Sequence, residues 1–291
     1  MRRRDGGGGR LRGAPPSGGR FVTVAVAGFR GRVHVREDGR PDGPTLVLLH
    51  GFSGSLRWFD LVVPLLASRF RLIRIDLLAH GRTGGPATDA PGQARAVDAV
   101  LRELAVEGGT VVGHSFGADV AVELAEKSAR IDRLVIVTQA PDYLEATLPR
   151  GSAMMTVPLL GATLGRLFQL LSVGAGVVAT RRSAPAAAGD LAAQGLRDFR
   201  ALDLAMFRVV LVDRRERMRA RPLDAQVRES AKPTLVILGE RDHFYGARSA
   251  DRYRAAGAEV RILDCGHSPL VELPAPTAEL VAEFAVRGGK E

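Results

Sequence analysis

Short apolar runs recur along the chain and are separated by polar or charged residues. Runs of this kind, rich in β-branched residues, predict strands that are buried on both faces of a sheet. Upstream of them, alternating segments around Gly28 and Gly31 predict a hairpin formed by Phe21–Ala27 and Arg32–Arg36. The apolar runs cover Thr45–Leu49, Arg71–Asp76, Thr110–Val112, Arg133–Thr138, Thr234–Leu238 and Val260–Leu263.

Segments with apolar residues at helical spacing lie between these runs. Strands that alternate with helices favour an α/β fold, in which a mostly parallel central sheet carries helices on both faces. The predicted helices cover Trp58–Ala67, Ala94–Ala105, Ala118–Lys127, Ala247–Ala255 and Thr277–Val286.

The alternation stops between residues 140 and 231. In that stretch apolar residues recur at helical spacing, among them Phe199, Leu202 and Met206. We therefore expect a core of residues 21–140 and 232–291, with a helical cap, residues 141–231, inserted after the sixth strand. Residues 1–20, rich in glycine, proline and arginine, are expected to form a disordered tail.

Composition narrows the class of protein. The 291 residues are 46% hydrophobic and 25% charged, as in ordinary globular proteins. Cys265 is the single cysteine, so no internal disulfide can form, and we expect a cytoplasmic protein. The net charge is +9, but six arginines of residues 1–20 supply most of it. The remainder lacks a one-sided basic stripe, so we expect no nucleic-acid partner.

The segment Gly113-His114-Ser115-Phe116-Gly117 stands between a predicted strand and a predicted helix. This is the G-x-S-x-G pattern of a nucleophile elbow, a sharp turn that projects the serine hydroxyl above the sheet. A serine hydroxyl is a poor nucleophile unless a base, itself oriented by an acid, activates it.

Candidates for the base and the acid follow later strands. Asp242 comes after Thr234–Leu238, and His267 comes after Val260–Leu263. The carboxyl ends of parallel strands meet at one edge of the sheet, so we expect Ser115, Asp242 and His267 to form a triad there. The backbone N–H groups of Phe52, which follows His50-Gly51, and of Phe116 are expected to form an oxyanion hole.

Taken together, these motifs resemble the α/β-hydrolase fold superfamily, particularly its capped, single-domain members similar to serine esterases. The resemblance runs from Phe21 to the C-terminus and implies the same triad and oxyanion hole. Ala79 departs from it, since a glycine is common at that position, and so does Ala118. The motifs are His50-Gly51, Asp76–Thr83, Gly113–Gly117, Gly239–Asp242, and Gly266-His267 with Pro269 and Glu272-Leu273-Pro274.

These observations predict a serine hydrolase that cleaves a small, largely apolar carboxylic ester or a related acyl substrate. The resemblance leaves other activities open on the same triad: hydrolysis of carbon–carbon bonds, thioester hydrolysis, cofactor-free perhydrolysis and lyase chemistry. A small-molecule receptor of this fold is a further alternative. For the acid, Asp142 is a rival to Asp242, and Asp76 is expected to be structural.

Other features of the sequence are given less specific interpretations. His50, His80 and His114 are expected to hold loops or line the site. No cluster of potential ligands suggests a metal, and no dinucleotide motif suggests a cofactor. The apolar segment Val157–Thr180 approaches the length of a membrane span, but a span there would separate Ser115 from the other two candidates. We therefore expect no membrane span and interpret this segment as a cap helix that lines an apolar pocket. The basic run Asp213–Arg221 is interpreted as a solvated helix face rather than a site for an acidic substrate.

Overall fold

The computed structural model describes residues 18–144, 188–245 and 247–287. Eight strands form one sheet in the order β1-β2-β4-β3-β5-β6-β7-β8. β1 and β2 form an antiparallel hairpin, β2 is antiparallel to β4, and the other neighbours are parallel. The strands are β1 (Arg20–Val26), β2 (Phe29–Gly39), β3 (Thr45–Leu49), β4 (Arg71–Ile75), β5 (Thr110–His114), β6 (Arg133–Val137), β7 (Thr234–Gly239) and β8 (Glu259–Leu263).

Helices cover the sheet, which confirms the predicted α/β fold. A 3-10 turn, Leu56–Phe59, follows β3, and a π-helical segment, Val209–Asp213, joins α5 to α6. The helices are α1 (Val63–Leu66), α2 (Ala90–Glu103), α3 (Phe116–Lys127), α4 (Ala188–Ala201), α5 (Met206–Arg208), α6 (Arg214–Ala220), α7 (Leu223–Ser230), α8 (Ala250–Ala255), α9 (Pro269–Glu272) and α10 (Pro274–Val286).

Strand β3 shows how the core is divided between the two faces. Its side chains alternate, so Val47 and Leu49 belong to one apolar cluster while Leu46 and Leu48 belong to another. Helices α2 and α3 pack into the first cluster, and α1 and α10 pack into the second. A continuous apolar run is therefore what a strand covered on both faces requires.

The observed helices differ from the predicted ones by up to a few residues at their ends, and two of them differ most. Residues 58–67 form the end of the 3-10 turn and the short helix α1 rather than one helix, and a proline stands in the first turn of α1. Helix α2 begins at Ala90, four residues before the predicted start. The Asp89 carboxylate accepts a hydrogen bond of 2.9 Å from the Gly92 amide, which caps this earlier start.

Residues 188–230, between β6 and β7, are mostly helical and contribute buried side chains to the core. Asp203 N donates to Ala79 O at 3.0 Å, which attaches this segment to the loop after β4, and Leu223 N donates to Pro141 O at 3.0 Å, which links α7 to the residues that follow β6. The segment Val157–Thr180 lies outside the described residues. Within the described ranges, no helix is both long enough and apolar enough to cross a membrane.

Helix α6 corrects the interpretation of the basic run Asp213–Arg221 as a solvated face. Three arginines of this run, two in α6 and Arg221 directly after it, pair with three acidic residues of α3, in a series that we call the arginine ladder. The Arg214 and Asp119 side chains are almost wholly buried, and their Nε–Oδ1 distance is 2.7 Å. The other two pairs are Arg217–Glu123 at 2.7 Å and Arg221–Glu126 at 2.9 Å.

Candidate active site

Ser115 occupies the sharp turn between β5 and α3. Its backbone has φ 51° and ψ −122°, a conformation that non-glycine residues rarely adopt. Strain of this kind persists only where the surrounding structure enforces it, and it clusters at functional sites. The sequence pattern and the backbone geometry therefore both single out this serine.

The glycines around Ser115 are required by close backbone contacts. A Cβ atom on Gly113 would overlap the carbonyl oxygen of Gly117 and the backbone of Ala118. A Cβ atom on Gly117 would overlap the carbonyl oxygens of Leu49 and His50. Both positions thus admit only glycine, because helix α3 leaves the turn directly against the end of β3.

The structure brings Ser115, His267 and Asp242 together. The distance between His267 Nε2 and Ser115 Oγ is 3.0 Å, and that between His267 Nδ1 and Asp242 Oδ2 is 2.8 Å. The three residues come from the loops after β5, β8 and β7. A Cβ on Gly239, at the end of β7, would overlap the Gly266 carbonyl, so the loops carrying the acid and the base lie in direct contact.

The Asp242 carboxylate is buried and has several hydrogen-bond partners. Its Oδ1 accepts hydrogen bonds from the amides of Phe244, at 2.8 Å, and Tyr245, at 3.4 Å. Burial alone would raise the pKa of Asp242, but His267 and the two amides hold it below its ordinary value. The carboxylate is therefore ionised at neutral pH and can orient the imidazole.

Glu272 fixes the loop that carries His267, a role that the sequence pattern did not reveal. Its carboxylate accepts hydrogen bonds from the amides of Gly266, at 2.8 Å, and Ser268, at 3.1 Å. The acidic residue lies five positions beyond His267, in the first turn of α9. An acidic residue shortly after the candidate histidine was the available signal.

The candidate oxyanion donors belong to Phe116, which directly follows Ser115, and to Phe52, which follows Gly51. A Cβ on Gly51 would lie 3.1 Å from the Ser115 Cβ, so the residue preceding Phe52 packs against the turn. Phe116 is the first residue of α3, where an N–H group has no intrahelical acceptor. Among the described residues, neither of these two N–H groups has a hydrogen-bond acceptor.

The three other histidines near the site are buried and neutral. His50 Nδ1 donates to Gly51 O at 2.8 Å, and its Nε2 accepts from Leu77 N at 3.1 Å, so it joins two loops. His80 Nδ1 donates to Leu78 O at 2.9 Å, and His114 Nε2 donates to His267 O at 2.8 Å. Burial lowers the pKa of His80 and of His114 to about 3.

The rival acids have other partners. Asp76 accepts hydrogen bonds from the Leu56 amide at 2.7 Å and the Arg82 amide at 2.9 Å, and it contacts His34 Nδ1 at 2.7 Å. These contacts tie the loop after β4 to strand β2 and to the 3-10 turn, which suits a structural role.

The other rival, Asp142, pairs with Arg252 at 2.9 Å and accepts a hydrogen bond from the Leu144 amide at 2.8 Å.

The described part of the chain contains no group of three or more His, Cys, Asp or Glu side chains arranged to hold a metal ion.

Comparisons with known proteins agree with this architecture. A protein of Rhodobacter capsulatus named magnesium-chelatase 30 kDa subunit is 31% identical over 80% of this chain and 84% of its own length. The pimeloyl-[acyl-carrier protein] methyl ester esterase of Nitrosomonas europaea is 27% identical over 83% of this chain and 95% of its own.

Among solved structures, the enol-lactonase of Burkholderia xenovorans LB400 superposes with a TM-score of 0.71 at 21% identity, over 87% of this chain and 96% of its own. At that identity the similarity shows the fold. The profile described as "Alpha/beta hydrolase family" matches residues 46–283, which is most of the chain. The chain therefore belongs to the alpha/beta hydrolase family.

Proposed function

We propose that the protein is a serine hydrolase that cleaves a small, largely apolar carboxylic ester through an acyl-enzyme. The observation that carries the proposal is the continuous contact from Ser115 Oγ through the His267 imidazole to the Asp242 carboxylate, at 3.0 and 2.8 Å. A hydroxyl, a base and an orienting acid in this order are the elements of nucleophilic acyl transfer.

The geometry suggests a role for each group. His267 Nε2 accepts the Ser115 proton as Oγ attacks the ester carbonyl, and Asp242 stabilises the imidazolium that forms. The amides of Phe52 and Phe116 donate to the oxyanion of the tetrahedral intermediate. His267 then returns the proton to the leaving alcohol, and a water molecule releases the acyl group by the same steps.

Aromatic side chains around the triad support an apolar substrate. The Phe244 ring lies 5.0 Å from the His267 ring, and the Tyr245 ring lies 5.8 Å from it. On the oxyanion side, Phe52 contacts Phe207 of α5 edge to face at 4.9 Å. The relative from Nitrosomonas europaea is named as an esterase, which agrees with ester chemistry.

Steady-state turnover of p-nitrophenyl acetate, butyrate and octanoate tests the proposal. Wild type is compared with Ser115→Ala and with the control Ser128→Ala. Ser128 directly follows the last residue of α3, at the end away from Ser115, and its buried hydroxyl donates to Asp98. We expect Ser115→Ala to lose at least about 10³-fold in kcat and Ser128→Ala to keep wild-type kcat.

Labelling with a fluorophosphonate, followed by peptide mass spectrometry, gives a second readout at Ser115. A wild-type protein that releases one equivalent of product and then stops would favour a receptor. Turnover that survives in Ser115→Ala would refute the proposal.

A further inference from the structure

The backbone carbonyl of His267 accepts two side-chain hydrogen bonds. His114 Nε2 donates to it at 2.8 Å, and Thr138 Oγ1 donates to it at 2.8 Å. His114 is the last residue of β5, and Thr138 directly follows β6. Two neighbouring strands thus hold the same carbonyl oxygen, and we call this pair of contacts the carbonyl clamp.

Thr138 adopts an unfavourable backbone conformation at this position. Its φ is 46°, in the left-handed region, where a β-branched residue is a genuine outlier. The side chain is fully buried, and its amide donates to Ile237 O at 2.8 Å. Glycine would fit this backbone without strain, but it has no hydroxyl to donate to the His267 carbonyl.

His114 is held in the state that the clamp needs. Its Nε2 must carry the proton, because the acceptor is a carbonyl oxygen. The ring stacks on Trp58 at 5.9 Å and lies 5.1 Å from the His267 ring. Because burial keeps His114 neutral, it adds no positive charge next to an imidazole that becomes positive during acyl transfer.

We infer that Thr138 is a positioning residue that, with His114, fixes the backbone of His267 so that its ring stays between Ser115 and Asp242. The inference rests on the proposed role of His267 as the base. Glu272 holds the amides on either side of His267, while the clamp holds its carbonyl, so the loop is fixed from both sides. An error of about 1 Å in such a position can cost about 10²-fold in rate.

The test compares Thr138→Val, which keeps the shape and removes the donor, with Thr138→Ser, which keeps the donor. Thr234→Val is the matched control. The Thr234 hydroxyl also donates to a backbone carbonyl, that of Lys232 at 2.9 Å, but Thr234 lies at the amino end of β7, away from the candidate triad. We expect Thr138→Val to lower kcat on the order of tenfold with KM within about twofold. Thr138→Ser and Thr234→Val should stay within about twofold of wild-type kcat.

A second readout does not depend on activity. The His267 Nδ1 proton, hydrogen-bonded to Asp242, gives a downfield NMR resonance when the ring is held in place. We expect Thr138→Val to broaden this resonance while Thr138→Ser and Thr234→Val retain it. An unchanged resonance together with an unchanged kcat in Thr138→Val would overturn the inference. If wild type hydrolyses no ester, the proposed function fails, and the resonance still decides whether the clamp holds His267.

Discussion

Replacing Arg214 by methionine tests how the buried end of the arginine ladder contributes to stability. The Arg214 and Asp119 side chains are 1% and 0% exposed, and Arg214 Nη2 also donates to Ala140 O at 3.2 Å. Burial alone would lower the pKa of Arg214, but the Asp119 carboxylate raises it above its ordinary value. In Arg214→Met the carboxylate keeps a hydrogen bond from Gln139 at 2.5 Å and loses its countercharge.

The expected loss follows from the charge left behind. Removing one partner of a buried pair costs about 3–5 kcal/mol. The alternative is that Asp119 takes up a proton, which costs about 1.4 kcal/mol for each pH unit above its ordinary pKa, or about 4 kcal/mol at pH 7. Both routes give the same magnitude, so we expect Arg214→Met to lose about 4 kcal/mol of unfolding free energy at pH 7.

The dependence on pH identifies the cause. Burial already raises the pKa of Asp119 beside the guanidinium, and without Arg214 the folded-state pKa rises further. A raised folded-state pKa destabilises the protein as pH increases, so the deficit of Arg214→Met should shrink to about 1.5 kcal/mol at pH 5. Converting Asp119 to leucine in the same variant should remove the pH dependence.

Urea unfolding, followed by circular dichroism at pH 5, 7 and 8, measures these differences. Arg254→Met is the control, because Arg254 pairs with Asp251 on the surface, where 50% and 92% of the two side chains are exposed. We expect it to cost less than about 0.5 kcal/mol at every pH. A deficit below about 1 kcal/mol for Arg214→Met at pH 7, or one that grows towards pH 5, would refute the reasoning.

Three further predictions concern the acid, a helix end and the serine turn. If Asp242 orients the base, Asp242→Asn should lower kcat by about 10³–10⁴-fold while Asp142→Asn stays within about threefold, and the reverse result would assign the acid to Asp142. Ala231 ends α7 with φ 51°, so Ala231→Gly should raise the Tm by up to about 3 °C, whereas Ala193→Gly, at an exposed position inside α4, should lower it. A Cβ on Gly117 would overlap two backbone carbonyls, so Gly117→Ala should cost at least about 2 kcal/mol in urea unfolding, and a wild-type midpoint would show that the turn can relax.

The inner strands of the sheet were predictable because they are buried on both faces. A strand such as β3 must be apolar at nearly every position, and a run of this kind is visible without any partner. The candidate triad was predictable for a related reason: each of its residues lies within a few residues of the end of a strand, and parallel strands bring their carboxyl ends to one edge.

Contacts between residues distant in sequence could not be predicted in the same way. Arg214 lies in a run of charged residues that is typical of a solvated helix, and its partner Asp119 is 95 positions away. The left-handed conformation of Ala79, with φ 64°, was signalled only by the glycine that is common there in similar sequences. No local sequence pattern indicates that the Thr138 hydroxyl donates to the carbonyl of His267.

The arginine ladder also makes the attachment of α6 to α3 unequally sensitive to salt. The side-chain exposure of its arginines rises along the series, from 1% at Arg214 through 24% at Arg217 to 38% at Arg221. Screening acts strongly on exposed charges and weakly on buried ones, and at 1 M salt the Debye length is about 3 Å. Rising ionic strength therefore loosens the ladder first at Arg221, while Arg214 keeps the start of α6 fixed to the helix that begins at the serine turn.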